Sequence, residues 1–149
     1  MHPTWRLRCP ALLLTGALAL GLPSPLAARA ELPPWAYAEQ QRQAPVVVEL
    51  EVLSAAKVAS NWQVHGRVLK VIRQPSTGRL HSNQRVILRY PLPEGRTAGM
   101  VGPAPVPLLR RGERVKAWIQ PLPGEIGVFA PAAGGRSFGP PMEEVMEPK

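Results

Sequence analysis

Hydrophobic and polar side chains alternate along several short stretches of the chain, and a period of two residues is typical of β-strands with one buried face. In Val46–Leu53 (VVVELEVL), every second residue from Val46 is apolar, whereas Glu49 and Glu51 fall on the opposite face. The same alternation recurs in QRVILRY and RVKAWIQ. The predicted strands are Val46–Leu53, Gln63–Gln74, Gln84–Tyr90, Arg114–Gln120 and Ile126–Ala130.

The segments between these strands contain residues that interrupt regular structure. Gly66 permits a bend or a bulge in the long second strand, and the alternation of that strand slips near Leu69. Ser54–Trp62 is predicted to be a loop, and Pro91–Pro107 is too rich in Pro and Gly for a strand or a long helix. Five strands, one of them long and bent, predict an all-β barrel, with a small β-sandwich or half-barrel as the alternative.

The composition is that of one small folded domain. Of its 149 residues, 45% are hydrophobic. After residue 30, Leu, Ile, Val and Phe make up 30 of 119 residues, above the roughly 20% that a packed core requires. Val outnumbers Leu there by 14 to 10, which favours sheet over helix. No apolar run approaches the roughly 20 residues of a membrane-spanning helix, so a polytopic membrane protein is excluded.

The first 30 residues have the features of a secretory signal peptide. Arg6 and Arg8 precede the apolar segment Ala11–Leu22, and residues 28–30 (ARA) have the small-x-small pattern of a cleavage site. We expect cleavage after Ala30 and export to the periplasm or beyond the cell. The chain then divides into a signal peptide (1–30), a Pro-led N-terminal arm with one helical turn (31–44), a β-barrel domain (45–140) and an acidic, flexible tail (141–149).

The order of these elements resembles that of five-stranded OB-type barrels. The resemblance covers Ala44–Phe138 and rests on VVVELEVL, VHGRVLKVIR, QRVILRY and LLRRGERVKAWI. Among exported domains it is most similar to the netrin-module and metalloproteinase-inhibitor type. The inhibitor branch engages its metal through an N-terminal Cys held by disulfides. Residues 31–149 contain no Cys, so protease inhibition is not implied.

OB-type barrels bind ligands on the second and third strands and in the loops after the first and fourth strands. The resemblance therefore nominates Lys57, Asn61, Trp62, His65, Arg67, Arg85 and Arg89 as a ligand-binding face. Residues 44–140 hold 13 Lys or Arg against five Glu, so an anionic ligand is one interpretation of this face. A Trp beside Arg would combine stacking with phosphate binding. The alternative is a solvated face whose charges prevent aggregation of strand edges.

One motif has the pattern of a catalytic site, but its context contradicts that function. Gly135–Gly139 (GRSFG) fits the G-x-S-x-G nucleophile elbow, yet two prolines follow at once and no His lies beyond Ser137. The chain has no Asp, and only His65 and His81 follow residue 30, too few for a catalytic zinc site. The sequence therefore predicts no enzyme, no cofactor and no metal. Ser137 is interpreted as part of a turn, with Phe138 plugging the barrel.

Two functions of different classes remain. The first is a non-catalytic envelope protein that binds a partner or acts as an accessory subunit, through its basic barrel face or through Pro91–Pro107. The second is a carrier of anionic polymers or lipid head groups, whose affinity would fall steeply with salt. Export argues against nucleic acid as the natural partner. A serine hydrolase built on Ser137 is a distant third hypothesis.

Overall fold

The computed structural model describes residues 31–93 and 102–143. Its elements are α1 (Pro34–Gln43), β1 (Val46–Val58), β2 (Asn61–Arg73), β3 (Arg85–Pro91), β4 (Arg114–Pro121), β5 (Val128–Pro131) and a 3-10 turn (Gly134–Arg136). The predicted signal peptide, residues 94–101 of the Pro-rich segment and residues 144–149 of the predicted tail lie outside the described residues. No helix in residues 31–93 or 102–143 has the length and apolar character of a membrane span.

The five strands form a closed β-barrel in the order β1-β2-β3-β5-β4. β1 closes the barrel because it pairs antiparallel with β2 from Val47 to Val58 and with β4 from Val46 to Glu51. β3 and β5 are the parallel pair, joined at Ile87–Val128 and Leu88–Phe129. The predicted all-β barrel is therefore confirmed, the sandwich and the half-barrel are not, and the strand order is compatible with an OB-like fold.

Register shifts bend the β1–β2 hairpin around the barrel. On β2, Leu69 and Ile72 are extra residues opposite β1, and on β1 Leu53 is an extra residue opposite β2. Such bulges increase the local twist of a strand. The slip predicted near Leu69 is confirmed. Gly66 pairs with Val52 directly beside the Leu53 bulge, as expected for a glycine at a bend.

The prediction of a loop at Ser54–Trp62 is wrong. β1 continues to Val58 and β2 begins at Asn61, so a two-residue turn joins them. Because Leu53 is an extra residue, the next inward-facing residue of β1 after Val52 is Ala55 instead of Ser54. This shift breaks the period-2 pattern of apolar residues from which the strand was predicted. The first residue of the turn, Ala59, has a φ of 53°.

The barrel interior is filled by the apolar residues that alternation assigned to it. Val48, Leu50, Val64, Val68 and Leu88 are fully buried, and Ala117, Ile119 and Phe129 pack with them. Phe138 also enters this core, with its ring centroid 5.8 Å from that of Tyr90. The fifth strand begins at Val128 rather than at Ile126, because Gly127 (φ 74°) still belongs to the preceding turn.

The segment before β1 is more ordered than the predicted arm with one helical turn. α1 has 10 residues and begins with Pro34, a residue well suited to the first turn of a helix. Its Tyr37, Ala38 and Gln41 are buried against the end of the domain. Met142, placed by the sequence in a flexible tail, is also buried, and it packs against Tyr37 and Ala38. Residues on both sides of the barrel sequence therefore complete one small second core.

Candidate functional site

The outer face of β2 and β3 brings together four of the seven nominated residues. Arg67 lies opposite Arg85, and His65 lies opposite Ile87 in the same antiparallel ladder. Arg89, one pair further on, lies opposite Gln63. Because inward residues such as Val64 and Leu88 alternate with these positions, the four nominated side chains share the solvent face of the sheet.

The remaining three nominated residues lie elsewhere. Lys57 and Trp62 are opposite each other near the tip of the β1–β2 hairpin, at positions with the inward parity of Ala55 and Val64. Trp62 packs against the core, and its Nε1 donates a hydrogen bond to the carbonyl of Leu109 at 3.1 Å. The structure therefore does not bring Trp62 beside the arginines, and the predicted combination of stacking and phosphate binding is not assembled. Asn61 begins β2 opposite Pro91.

Carboxylates neutralise most of the arginines on this face. Glu51 lies between Arg67 and Arg114 on the neighbouring strands and pairs with both, at 3.2 Å from Arg114 Nη2. The hydrogen bonds from Arg67 hold the pKa of Glu51 below its ordinary value. Arg89 donates through Nη1 to both carboxylate oxygens of Glu125, at 2.8 and 2.9 Å. Arg85 makes no ion pair with any carboxylate in the described part of the chain.

A groove of about 540 Å³ crosses this face beside Arg85. One side of the groove is formed by the β1 bulge, with Leu53 and Ser54. The floor consists of His65 and Gly66 of β2 and residues 85–87 of β3. The β4–β5 loop closes the other side with Ile126 and Gly127. Ile126 is fully exposed to solvent, although it is a large apolar residue. Its position in a glycine-flanked turn (GEIG) is the signal that sequence reasoning missed, because the residue was assigned to a strand.

The histidines form no metal centre within the described residues. His65 is exposed, with its Nε2 3.1 Å from the Nε2 of Gln63. His81 lies in the β2–β3 loop, where its Nδ1 is 3.1 Å from the carbonyl oxygen of Ser82. No group of three or more His, Cys, Asp or Glu residues that could hold a metal ion occurs in residues 31–93 or 102–143.

Ser137 of the GRSFG motif lies in the turn that follows the 3-10 segment. Its side chain is fully buried. Its hydroxyl donates to the Gly134 carbonyl at 2.7 Å and accepts from the Ala133 N–H at 2.8 Å. This geometry gives the hydroxyl a role in closing the turn, and the backbone bridge between Phe138 and Ala117 joins the turn to β4.

The described part of the Pro-rich segment is fixed to the barrel. The Tyr90 hydroxyl donates to the carbonyl of Pro107 at 3.0 Å and accepts from the Leu109 N–H at 3.3 Å. Burial raises the pKa of Tyr90 to about 12. Ala104, near the start of the described part, donates its N–H to the Tyr37 hydroxyl at 3.0 Å. Residues 104–109 therefore connect α1 to the mouth of the barrel.

Comparison with known proteins adds no family to this picture. No protein-family model matches the chain, and no curated protein is significantly similar to it in sequence. A function for this chain therefore rests on the chemistry of its grooves and surfaces.

Proposed function

We propose that this protein is an exported, non-catalytic binding module that recognises an extended segment of a partner protein in the groove between Ile126 and Arg85. The observation that carries the proposal is a fully exposed isoleucine beside an arginine without an ion pair in the described residues. An apolar side chain of the partner would pack on Ile126, Ile87 and Leu53. A carboxylate of the partner would pair with Arg85 in a charge-assisted hydrogen bond.

The charge distribution favours a protein partner over an anionic polymer. A surface that binds a polymer of phosphates or sulfates needs a row of unpaired cations. Here Arg67 and Arg114 share Glu51, and Arg89 is paired with Glu125. The net charge available in the groove is therefore small. Its exposed apolar residues would gain free energy only against another apolar surface.

The barrel face is also favoured over the Pro-rich segment. Val106 packs against the core and the Pro107 carbonyl accepts from Tyr90, so this part of the segment already contacts its own domain. The signal-peptide features of residues 1–30 support a partner in the cell envelope or outside the cell. From the resemblance to netrin modules and metalloproteinase inhibitors we carry over no activity, because the fold alone does not determine function.

The proposal is tested by selecting binders from a phage-displayed library of random peptides on the purified protein. We expect enriched peptides that alternate apolar residues and contain Asp or Glu. Their affinity should fall at least about tenfold for Ile126→Asp and for Arg85→Glu, the cost of losing one good contact. Ile72→Asp and Lys70→Glu make the same changes of an exposed Ile and a cation outside this groove, and they should leave the affinity within about twofold.

Two results would contradict the proposal. One is a set of enriched peptides that bind the Ile126→Asp and Arg85→Glu proteins as well as the unchanged protein. The other is binding of heparin or of anionic lipid vesicles that falls steeply between 50 and 300 mM salt and is lost in Arg85→Ala plus Arg89→Ala. That second result would establish the carrier of anionic polymers or head groups instead.

A further inference from the structure

A second groove lies on the opposite half of β1, between the sheet and α1. On the outer face of the sheet Val47 pairs with Arg73 of β2 and with Trp118 of β4, so these residues form one row across three strands. α1 crosses beside this row and contributes Ala38, Gln41 and Arg42. This open groove has a volume of about 380 Å³, within the range of small-molecule sites.

The floor of this groove is apolar although it lies on the outer face of the barrel. Val47 and Trp118 are each only 5% exposed, because Ala44 and Ala133 pack with them. Ile72, an extra residue of a β2 bulge, stands at the edge of the groove and is 45% exposed. An apolar ring or a short alkyl chain would therefore pack mainly on Ile72 and on the exposed edges of Val47 and Trp118.

Cations line the rim of the groove. Lys116 is half-buried, lies 6.0 Å from the centre of the Trp118 ring, and makes no ion pair in the described residues. Arg73 is held in place because its Nη2 donates to the carbonyls of Gln41 and Ala44, both at 2.7 Å. Arg42 is already paired with Glu143 at 3.0 Å on the far rim. The charge that a ligand would neutralise is therefore that of Lys116 and Arg73.

We propose that this groove binds a small amphipathic anion, a carboxylate or sulfonate carried on a ring or a short alkyl chain. The apolar part would lie on Val47, Trp118 and Ile72, and the anionic head would bind Lys116 and Arg73. The site is distinct from the partner-binding groove, because the two share no lining residue. A polymer is not the expected ligand, because the groove is small, about 380 Å³.

The experiment is an amide and indole NMR titration of the isotope-labelled protein with three probes. Octanoate carries both features, octan-1-ol has the chain without the charge, and inorganic phosphate has the charge without the chain. We expect octanoate to shift the signals of Val47, Ile72 and Lys116 and the indole N–H of Trp118. Octan-1-ol and phosphate should bind at least about tenfold more weakly, because each lacks one of the two contacts.

A matched pair of variants tests the charge. Lys116 and Lys70 both lie opposite Glu49, one on each side of it, but only Lys116 lines the groove. Lys116→Gln should weaken octanoate about tenfold, and Lys70→Gln should leave it unchanged. Ile72→Ser, at a partly exposed wall position, should weaken octanoate without unfolding the protein.

Equal effects of Lys116→Gln and Lys70→Gln would overturn the proposal. So would octan-1-ol or phosphate binding as tightly as octanoate, or shifts that do not cluster on the groove. The two proposals can fail independently, because Arg85→Glu should weaken the binding of peptides in the first groove without changing the affinity for octanoate.

Discussion

Replacing Gly66 by Ala tests how closely the bent hairpin packs on the core. A Cβ at Gly66 would lie 2.7 and 2.9 Å from the two Cδ atoms of Leu50 and 2.9 Å from its Cγ. Leu50 is fully buried, so its side chain has little space into which to move. The substitution therefore forces either Leu50 or the β2 backbone out of position, directly beside the bulge at Leu53.

The expected cost follows from two opposing effects. Overpacking a core by one methyl group typically destabilises by about 1–3 kcal/mol. Replacing Gly by Ala restricts the unfolded chain and returns about 0.4–1 kcal/mol. The net loss in the free energy of unfolding for Gly66→Ala is then about 1–2 kcal/mol, a decrease of roughly 4–10 °C in Tm.

A double-mutant cycle with Leu50→Ala identifies the clash as the cause. Leu50→Ala alone should cost about 2–5 kcal/mol, because it leaves a cavity in the core. With the Cγ and Cδ atoms removed, only the effect on the unfolded chain remains, so adding Gly66→Ala should stabilise by about 0.4–1 kcal/mol. The coupling between the two changes then equals the overpacking cost of about 1–3 kcal/mol. Urea unfolding followed by circular dichroism measures all four proteins. A loss for Gly66→Ala below about 0.5 kcal/mol, or an equal loss in the Leu50→Ala background, would refute the reasoning.

Three further perturbations have defined outcomes. Gln41→Ala should lower the free energy of unfolding by about 2 kcal/mol in urea, because the Arg136 carbonyl and the Met142 N–H lose their hydrogen-bond partner. The control Gln43→Ala removes an exposed hydrogen bond to Glu39 and should change stability by less than about 0.5 kcal/mol. The pKa of Tyr90 is raised in the fold to about 12. Its contribution to stability is therefore fully present below the unfolded pKa of about 10 and is lost as the pH rises towards 12. In thermal unfolding, the difference in stability between the unchanged protein and Tyr90→Phe should shrink over that pH range. The pKa of Glu51 is lowered in the fold, so its contribution to stability is complete above the pKa of the unfolded chain and is lost as the pH falls through the lower pKa of the folded state. In acid unfolding, the stability advantage over Glu51→Gln should therefore shrink as the pH falls below about 4.

Strand identity could be predicted from the sequence because the barrel has one buried face per strand. The alternation of Val46, Val48 and Leu50 places them in the core, and the same holds for Val86 and Leu88. A period-2 pattern reports burial on one side, and a small closed barrel has no second buried side along most of its length. The slip at Leu69 is predictable for the same reason, since an extra residue on β2 reverses which of the following residues face the core.

The pattern failed where burial depends on chain segments distant in sequence. Trp118 has outward parity, yet Ala44 and Ala133 cover it, and neither contact leaves a signal in the β4 sequence. Trp62 is assigned to the ligand face on the prediction that it ends a loop after the first strand, whereas it lies on β2 with inward parity and donates to the carbonyl of Leu109. α1 was underestimated because Tyr37, Ala38 and Gln41 gain their stability from Met142 and Arg136, about 100 residues away in the chain.

Both proposed sites depend on the length of β1. Its ladder with β4 ends at Glu51–Arg114, whereas its ladder with β2 continues to Val58–Asn61. Before Glu51 the outer face is three strands wide and α1 lies beside it, which gives an apolar groove with cations at the rim. Beyond Glu51 the face is continued by β1, β2 and β3 without β4, and the β4–β5 loop with Ile126 closes the groove there. Glu51 lies at this boundary and pairs with the arginines on both neighbouring strands. Among the residues that line the two grooves, the cations without an ion pair in the described residues are Lys116 and Arg73 on one side and Arg85 on the other.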